Sequence, residues 1–356
     1  MDKQLLDLYS DYLICSFGLT TATGLSTLLD GAISHDKITR FLSGSDFTSS
    51  DLWHLVKPLV RQVQDKDAVL VFDDSIEEKL YTDESALICW HWDHCFHRNV
   101  KGINFLTCLY RTPEAALPVA FELIQKSEWT TDKKTGKTRR VCPKTKNEYL
   151  REMVAQCQKN QLPFRYVLAD AWFSAAETMV YLKVERETDF IFPLKANRKV
   201  ALSPEDKLAG RYMPVSSLPS EANATQAIWL EGVDFPLLLC TQVFTNKDGS
   251  QGVLYLVTSD TTLHGCDIQT IYQKRWKVEE YHKSVKSNAS FAKSPTKTIR
   301  TQSNHIFACL WAYVKLESLR LKTHLNHFAM KGRLYKAALA SAYRELQVLK
   351  GQTVPA

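Results

Sequence analysis

A continuous apolar run, Ala68-Val-Leu-Val-Phe72, is the feature that most constrains how this chain folds. Charged residues bound it on both sides, with Asp65-Lys-Asp67 before it and Asp73-Asp74 after it. A short apolar run without alternation is typical of a strand buried on both faces, as found inside a sheet covered by helices. Further strand-like segments at 103–110, 117–124, 164–169 and 189–194 are interspersed with helical patterns at 147–159 and 174–186. The sequence therefore predicts an α/β fold in which helices flank a mixed sheet.

Changes in patterning predict five segments along the chain. They are a helical N-terminal domain (1–65), the first part of the α/β domain (66–196), an inserted β-rich subdomain (197–262), the second part of the α/β domain (263–321) and a basic helical tail (322–356). The insertion is predicted from three strand patterns and the turn signal Asn246-Lys-Asp-Gly249. Near Lys37 and Arg40 the pattern fits a helix-turn-helix, and both a DNA-contacting role and a plain helical cap remain open.

Composition excludes several protein classes. Hydrophobic residues make up 45% and charged residues 24%, which excludes a disordered or collagen-like chain. No stretch approaches the roughly 20 apolar residues that cross a bilayer, and the N-terminus lacks an apolar signal segment, so we expect no membrane association. The nine cysteines are scattered without a CxxC motif, which favours reduced thiols and a cytoplasmic protein. The local group Cys89, His91, His94, Cys95 and His97 matches no closed zinc pattern, so we expect a strand and a turn there.

Three acidic positions are candidates for a metal site. Asp73 and Asp74 end the first buried strand, Asp170 ends the strand at 164–169, and Glu279 lies within a long helix predicted from Asp267 to Ser287. Acids at strand ends lie where sites form in α/β folds. Carboxylate oxygens are the ligands that Mg²⁺ prefers, and two such ions about 4 Å apart support phosphoryl transfer. The apolar run has no alternation, so strand parity leaves open whether Asp73 or Asp74 is the ligand.

One face of the predicted long helix concentrates positive charge around Glu279. At about 100° per residue, Tyr272, Arg275, Glu279, Lys283 and Lys286 fall on one stripe about 80° wide. The opposite stripe is apolar and is expected to pack inward; it consists of Val278, Tyr281 and Val285. Residues 272–300 contain eight Lys or Arg and two Glu, a balance of +6 that equals the net charge of the whole chain. A cationic face around one acid suits a phosphate backbone beside a metal-binding carboxylate.

The spacing of Tyr272, Arg275, Glu279 and Lys286 resembles the YREK signature of bacterial DDE insertion-sequence transposases of the insertion-sequence-four type. The sequence segments around the three acids are also similar to that family; they are VFDDS, YVLADAWFS and YQKRWKVEEYHKSVK. The similarity extends over roughly residues 35–320. The resemblance implies an RNase H-like catalytic domain with a β-rich insertion between the second acid and the glutamate. It further implies a homodimer that pairs two transposon ends and cleaves through a DNA hairpin.

The resemblance also implies roles for individual residues. Asp74, Asp170 and Glu279 become the metal ligands, with Mg²⁺ as cofactor and Mn²⁺ as a substitute. Asp74 is preferred to Asp73 because the family's acid precedes a small hydroxyl residue, here Ser75 where the family usually has Thr. The resemblance makes Tyr272, Arg275 and Lys286 contacts to double-stranded DNA, both terminal inverted repeats and target. The cationic stripe adds Lys283 as a predicted DNA contact. Lys195 and Arg198, which follow the strand after Asp170, are further predicted DNA contacts, for which a solvated loop is the alternative. The predicted base-stacking residues are Trp229 and Tyr255, for which packing inside the β unit is the alternative.

These features predict a DNA transposase that cuts and rejoins phosphodiester bonds, cytoplasmic and associated with the nucleoid when bound to DNA. Two other functions remain open. One is a catalytically silent or domesticated DNA-end-binding protein, and the other is an RNase H-like nuclease that only hydrolyses. The cationic stripe and the inserted β unit favour strand transfer, since a simple nuclease needs neither.

Overall fold

The computed structural model describes residues 2–93, 97–219, 224–245 and 248–351. The strands are β1 (Val69–Glu78), β2 (Cys89–Asp93), β3 (Arg98–Arg111), β4 (Ala116–Leu123), β5 (Glu128–Thr131), β6 (Thr138–Val141), β7 (Tyr166–Leu168), β8 (Asp189–Leu194), β9 (Lys199–Ala201), β10 (Met213–Pro214), β11 (Thr225–Leu230), β12 (Leu237–Thr245) and β13 (Gln251–Thr258). The α-helices are α1 (Lys3–Cys15), α2 (Ala22–Leu28), α3 (His35–Gly44), α4 (Ser49–Val63), α5 (Lys146–Lys159), α6 (Ala176–Val180), α7 (Pro204–Leu208), α8 (Gly265–Gln273), α9 (Lys277–Asn288), α10 (Ile299–Thr323) and α11 (His327–Leu349).

The contacts divide the chain into two compact units. The sheet unit comprises Val60–Ile76 and Ile103–Glu279. The helical unit comprises Met1–Leu59, Glu77–Gly102 and Glu280–Ala356.

A large mixed sheet with flanking helices forms the sheet unit. Its strand order is β10-β9-β11-β12-β13-β8-β7-β1-β3, with β4 paired to β3. The central pairs β1–β7 and β7–β8 are parallel. The four residues Val69–Phe72 have no exposed surface, which confirms the strand that the apolar run predicts. The α/β class predicted from the sequence is also confirmed.

The predicted β-rich insertion continues this sheet. Strand β13 pairs antiparallel with β8, and β12, β11, β9 and β10 follow outward from it. The Asn246-Lys-Asp-Gly249 turn predicted between β12 and β13 lies partly outside the described residues, since Asn246 and Lys247 are not described. Between β4 and α5 the chain forms a hairpin, β5–β6, which its sequence did not indicate because all four residues of β5 are exposed.

The long helix predicted from Asp267 to Ser287 is wrong as a single element. A 3₁₀ turn, Lys274–Trp276, separates α8 from α9. The apolar stripe is nevertheless buried as predicted, at Val278, Tyr281 and Val285. A 3₁₀ turn rotates by about 120° per residue instead of about 100°, so the angles calculated for a single α-helix do not apply across it.

Helices α1 and α10 form the core of the helical unit, with Leu6, Leu13 and Phe307 fully buried. The hydroxyl of Tyr9 on α1 lies 3.0 Å from Nδ1 of His305 on α10. The side chain of Asn304 donates to the carbonyls of Leu42 and Ser45, which fixes the end of α3 against α10. Strand β2 pairs with the first residues of β3, and its Cys89 and His91 are buried; His94 and Cys95 lie outside the described residues.

None of the helices in the described ranges combines the length and apolar character that a bilayer span requires.

Candidate active site

The sheet brings two of the predicted acids to one edge. Strands β1 and β7 are parallel neighbours, with the pairs Val69–Tyr166, Leu70–Val167 and Val71–Leu168. Continuing this register by two residues aligns Asp73 with Asp170. Because side chains alternate between the faces of a sheet, residues aligned in this way point to the same face. Asp170 lies two residues beyond the end of β7, so this extended parity favours Asp73 as its neighbour, while the charge of Asp74 also acts on Asp170.

Arg275 lies between Asp73 and Glu279. Its Nη1 atom is 3.6 Å from Oδ2 of Asp73 and 3.8 Å from Oε1 of Glu279. Burial raises the pKa of Asp73 to about 8; Arg275 opposes this shift, and the charges of Asp170, Asp74 and Glu279 add to it. The Glu279 side chain is 54% exposed, so it forms the open side of the group. Four carboxyl groups from three parts of the chain thus interact electrostatically at one place.

Asp74 has a separate set of partners. Its Oδ2 accepts hydrogen bonds from Nζ of Lys146 at 2.6 Å and from Nδ2 of Asn104 at 2.9 Å. Lys146 is the first residue of α5, whose start is fixed by a capping box between Thr145 and Glu148. The capping box places the aliphatic stem of Lys146 at the edge of the sheet, and the ammonium group of Lys146 reaches the carboxylate of Asp74.

Asp170 is held by the backbone that follows it. The amide of Trp172 donates to Oδ1 of Asp170 at 2.9 Å. Burial raises the pKa of Asp170, with the nearby Asp74 carboxylate adding to the shift, while this hydrogen bond, Arg275 and Lys146 oppose it. A partly buried cluster of like charges with raised pKa values is typical of functional sites.

The chemistry of this donor set fits a hard divalent cation. All the candidate ligands are carboxylates, and Oδ1 of Asn104, beside Asp74, is buried without a hydrogen-bond partner among the described residues. Among the residues that the structure describes, no group of three or more His, Cys, Asp or Glu side chains is arranged so that it could hold a metal ion. Arg275 and Lys146 supply the positive charge that these acids require. Metal binding would therefore require these two side chains to move.

The DNA contacts predicted on the long helix belong to both units. The structure divides that helix into α8 and α9. In the sheet unit, Tyr272 is only 6% exposed, and its hydroxyl donates to the carbonyl of Ala169 at 3.3 Å. Burial raises the pKa of Tyr272 to about 12. In the helical unit, Nζ of Lys286 lies 3.8 Å from Oε2 of Glu77, and Nζ of Lys283 lies 5.4 Å from the ring of Phe328.

Lys195 and Arg198 line a cavity of about 580 Å³ beside Asp170. Its other lining residues include Trp172, Lys199 and Glu231. The ring of Trp172 is 48% exposed, and Nζ of Lys195 lies 5.5 Å from its centre. The cavity is therefore cationic with one aromatic wall.

The two predicted stacking residues are less accessible than Trp172. Tyr255 is 6% exposed in β13, and Trp229 is half-buried in β11. Sequence reasoning did not select Trp172 or Lys146 as site residues. The position of Trp172, two residues after Asp170, was a usable signal, whereas the contact between Lys146 and Asp74 spans 72 residues and has no local signature.

Comparison with known proteins identifies the family. A family model described as DDE superfamily endonuclease matches residues 2–215, and one described as Transposase DDE domain matches residues 142–315. The chain belongs to the DDE superfamily of endonucleases. This DDE protein is accordingly a nuclease-type enzyme of the transposase class, a class that acts on DNA and generally uses divalent metal ions. No curated protein matches its sequence.

Proposed function

We propose that this DDE enzyme is the transposase of an insertion sequence of the insertion-sequence-four type, with an RNase H-like catalytic domain. It cleaves DNA at the inverted repeats of the element and joins the freed 3′ ends to a target. The observation that carries this proposal is that Asp73, Asp170 and Glu279 all interact with Arg275, and that the charge of the adjacent Asp74 acts on Asp73 as well.

The residues of the site have distinct tasks. Asp170, Glu279 and one aspartate of the Asp73–Asp74 pair would hold Mg²⁺, or Mn²⁺ in its place. When bound, the ions supply an activated oxygen nucleophile and stabilise the charge on the leaving oxygen. Arg275, already beside two of these acids, is positioned to bind the scissile phosphate. Fixing that phosphate against the acids supplies the alignment that an in-line displacement requires.

The first metal ligand is a choice between two neighbours. The resemblance to the transposase family favoured Asp74, because the family's acid precedes a small hydroxyl residue and Ser75 follows Asp74. Strand parity with Asp170 and the bridge through Arg275 favour Asp73 as the residue that acts with Glu279. We propose Asp73 on these contacts, with Asp74, held by Lys146 and Asn104, as the alternative.

The proposed DNA contacts form two groups. Lys195 and Arg198 in the cavity, and Tyr272, Arg275, Lys283 and Lys286 from the signature, are the proposed contacts to the DNA. Of the stacking pair, Trp229 keeps the more accessible ring, while burial of Tyr255 favours a packing role for that residue. A homodimer would pair two transposon ends on these surfaces.

The decisive experiment uses a linear DNA that carries the two ends of the element. With Mg²⁺, the wild-type enzyme should yield excised element and joined products, and chelation should abolish both. Asp170→Asn should bind the ends without cutting them. Cleaved ends that are never joined would indicate a hydrolytic nuclease, and binding without cleavage by the wild type would indicate a silent end-binding protein.

A further inference from the structure

Lys146 forms an ion pair with Asp74 at the edge of the sheet. The ammonium lies 2.6 Å from the carboxylate in a partly buried setting, with the two side chains 23% and 19% exposed. Burial raises the pKa of the Asp170 carboxyl, and the charge of Lys146 opposes this rise, so Lys146 acts on both strand-end acids. A cation in this position repels any divalent ion that approaches the same carboxylates.

The local structure fixes the base of this lysine and leaves its head able to move. The capping box of Thr145 and Glu148 fixes the backbone where α5 begins. A cation in the first turn of a helix is disfavoured by the helix dipole, and the contact with Asp74 offsets that cost. The four-carbon stem has several rotatable bonds, so the ammonium can reach other partners without a change in the backbone.

The second partner available to Lys146 lies on the side of the cationic cavity. Its Nζ is 6.0 Å from the centre of the Trp172 ring, the same ring that Lys195 approaches at 5.5 Å. Trp172 borders the cavity and also binds Asp170 through its amide. Lys146 therefore stands between the acids and a surface that attracts phosphate.

We propose that Lys146 is a positioning residue that exchanges partners, from Asp74 in the metal-free enzyme to a DNA phosphate in the complex, so that DNA and metal bind cooperatively. This inference rests on the proposed function. A phosphate at the cavity edge draws the ammonium away from the strand-end acids, and without this positive charge beside them the acids bind the divalent ion more tightly. Because linkage is reciprocal, the metal must raise the affinity for DNA by the same factor.

Metal affinity is the direct measurement. Titration calorimetry with Ca²⁺ would be run on the wild type, with and without a short duplex that lacks the element's ends. We expect the duplex to raise the affinity for Ca²⁺ by roughly 5- to 150-fold, the usual range of coupling between sites. Lys146→Met should bind Ca²⁺ without DNA about as tightly as the wild type does with DNA, and its coupling factor should fall towards one.

Lys144→Met is the matched control, because Lys144 is also a basic residue close to the start of α5 but pairs with Glu152 at 2.7 Å. It should retain the wild-type coupling, and Lys146→Arg should retain most of it because the charge is kept. A circular-dichroism melt identifies a folding defect in Lys146→Met, in which case Lys146→Gln replaces it. If the wild type and Lys146→Met show the same coupling between Ca²⁺ and DNA, the partner exchange of Lys146 is overturned, while the proposed function is not affected.

The salt dependence of DNA binding gives an independent readout. Each phosphate contact changes the slope of log affinity against log salt by about one. The wild-type slope should steepen by about this amount when Ca²⁺ is added, and the slope of Lys146→Met should not change. Absence of Ca²⁺ binding in every variant, with and without DNA, would overturn the proposed function together with this inference.

Discussion

At the scale of single residues, Arg275 explains how carboxylates with raised pKa values are tolerated in one place. Its guanidinium is beside Asp73 and Glu279, and its position above the rings of Tyr272 and Trp276, at 5.8 Å and 5.6 Å, limits where it can turn. A planar, permanently charged group held in this way suits recognition of both carboxylate and phosphate. The same residue can therefore stabilise the acids before DNA binds and contact DNA afterwards.

The two neighbouring aspartates should differ in their effect on catalysis. If Asp73 holds the metal, Asp73→Asn should reduce DNA cleavage by more than 100-fold, while Asp74→Asn should reduce it by about 10- to 100-fold, as outer partners of metal sites do. Since burial disfavours the charged form of Asp73, its removal should not lower the melting temperature. Cleavage assays and melting curves on both variants check this. A larger loss of cleavage in Asp74→Asn than in Asp73→Asn would indicate that Asp74 is the ligand.

Glu279 and Glu280 provide a second matched pair. Glu279→Gln should abolish cleavage and leave DNA-end binding within a few-fold of the wild type, because a ligand is lost and the cationic contacts are kept. Glu280→Gln should cleave nearly as well as the wild type, because Glu279 lies 3.8 Å from Arg275, whereas the next residue of an α-helix projects about 100° away from it. Cleavage and gel-shift assays measure both properties, and equal losses in the two variants would contradict the assignment of Glu279.

At the scale of elements, the sequence was sufficient to predict a strand where a single hydrophobicity pattern covered the whole segment. The strand at 189–194 was predicted with the bounds that β8 has, and the apolar run predicted β1, because burial on both faces selects apolar residues at every position. The turn at Lys274–Trp276 was missed because the apolar periodicity continues across it. Strand parity in the sequence could not choose between Asp73 and Asp74, and the proposal of Asp73 uses the register of β1 against β7, which is a tertiary property.

The packing of α1 against α10 predicts a pH-dependent stability. Burial is the main cause that lowers the pKa of His305 to about 4, below its usual value near 6.5, and Tyr9 binds its ring. The unfolded chain therefore binds the proton more readily, so this contribution is complete above pH 6.5 and is lost as the pH falls towards 4. By pH 5 the loss should be about 2 kcal/mol in the free energy of unfolding.

Urea unfolding at pH 7 and pH 5 tests this on the wild type and on His305→Gln. The glutamine variant is expected to be less stable at pH 7, and its stability should change less between the two pH values. A pH dependence that is the same in both proteins would assign the effect to other groups.

At the scale of the whole molecule, the exposed surface of α11 is the feature that bears on assembly. Apolar or small residues recur along it at alternating spacings of three and four, at Gly332, Tyr335, Leu339, Ala342, Leu346 and Leu349. This is the heptad pattern of a two-helix seam, and Leu339 and Leu346 are 54% and 46% exposed. A second copy of α11 would cover this seam, since the same pattern is then present on both partners.

A single charge in the seam should therefore dissociate the proposed homodimer. Leu346→Asp would place a carboxylate in the apolar contact, and light scattering should show a shift from dimer to monomer. Val348→Asp is the control, because Val348 is also apolar and exposed but lies outside the heptad positions. Pairing of two transposon ends should be lost in Leu346→Asp while binding of one end persists, because the DNA contacts proposed in the sheet unit do not involve α11. Equal effects of the two substitutions would indicate that α11 acts through its net charge, with no specific seam between two copies.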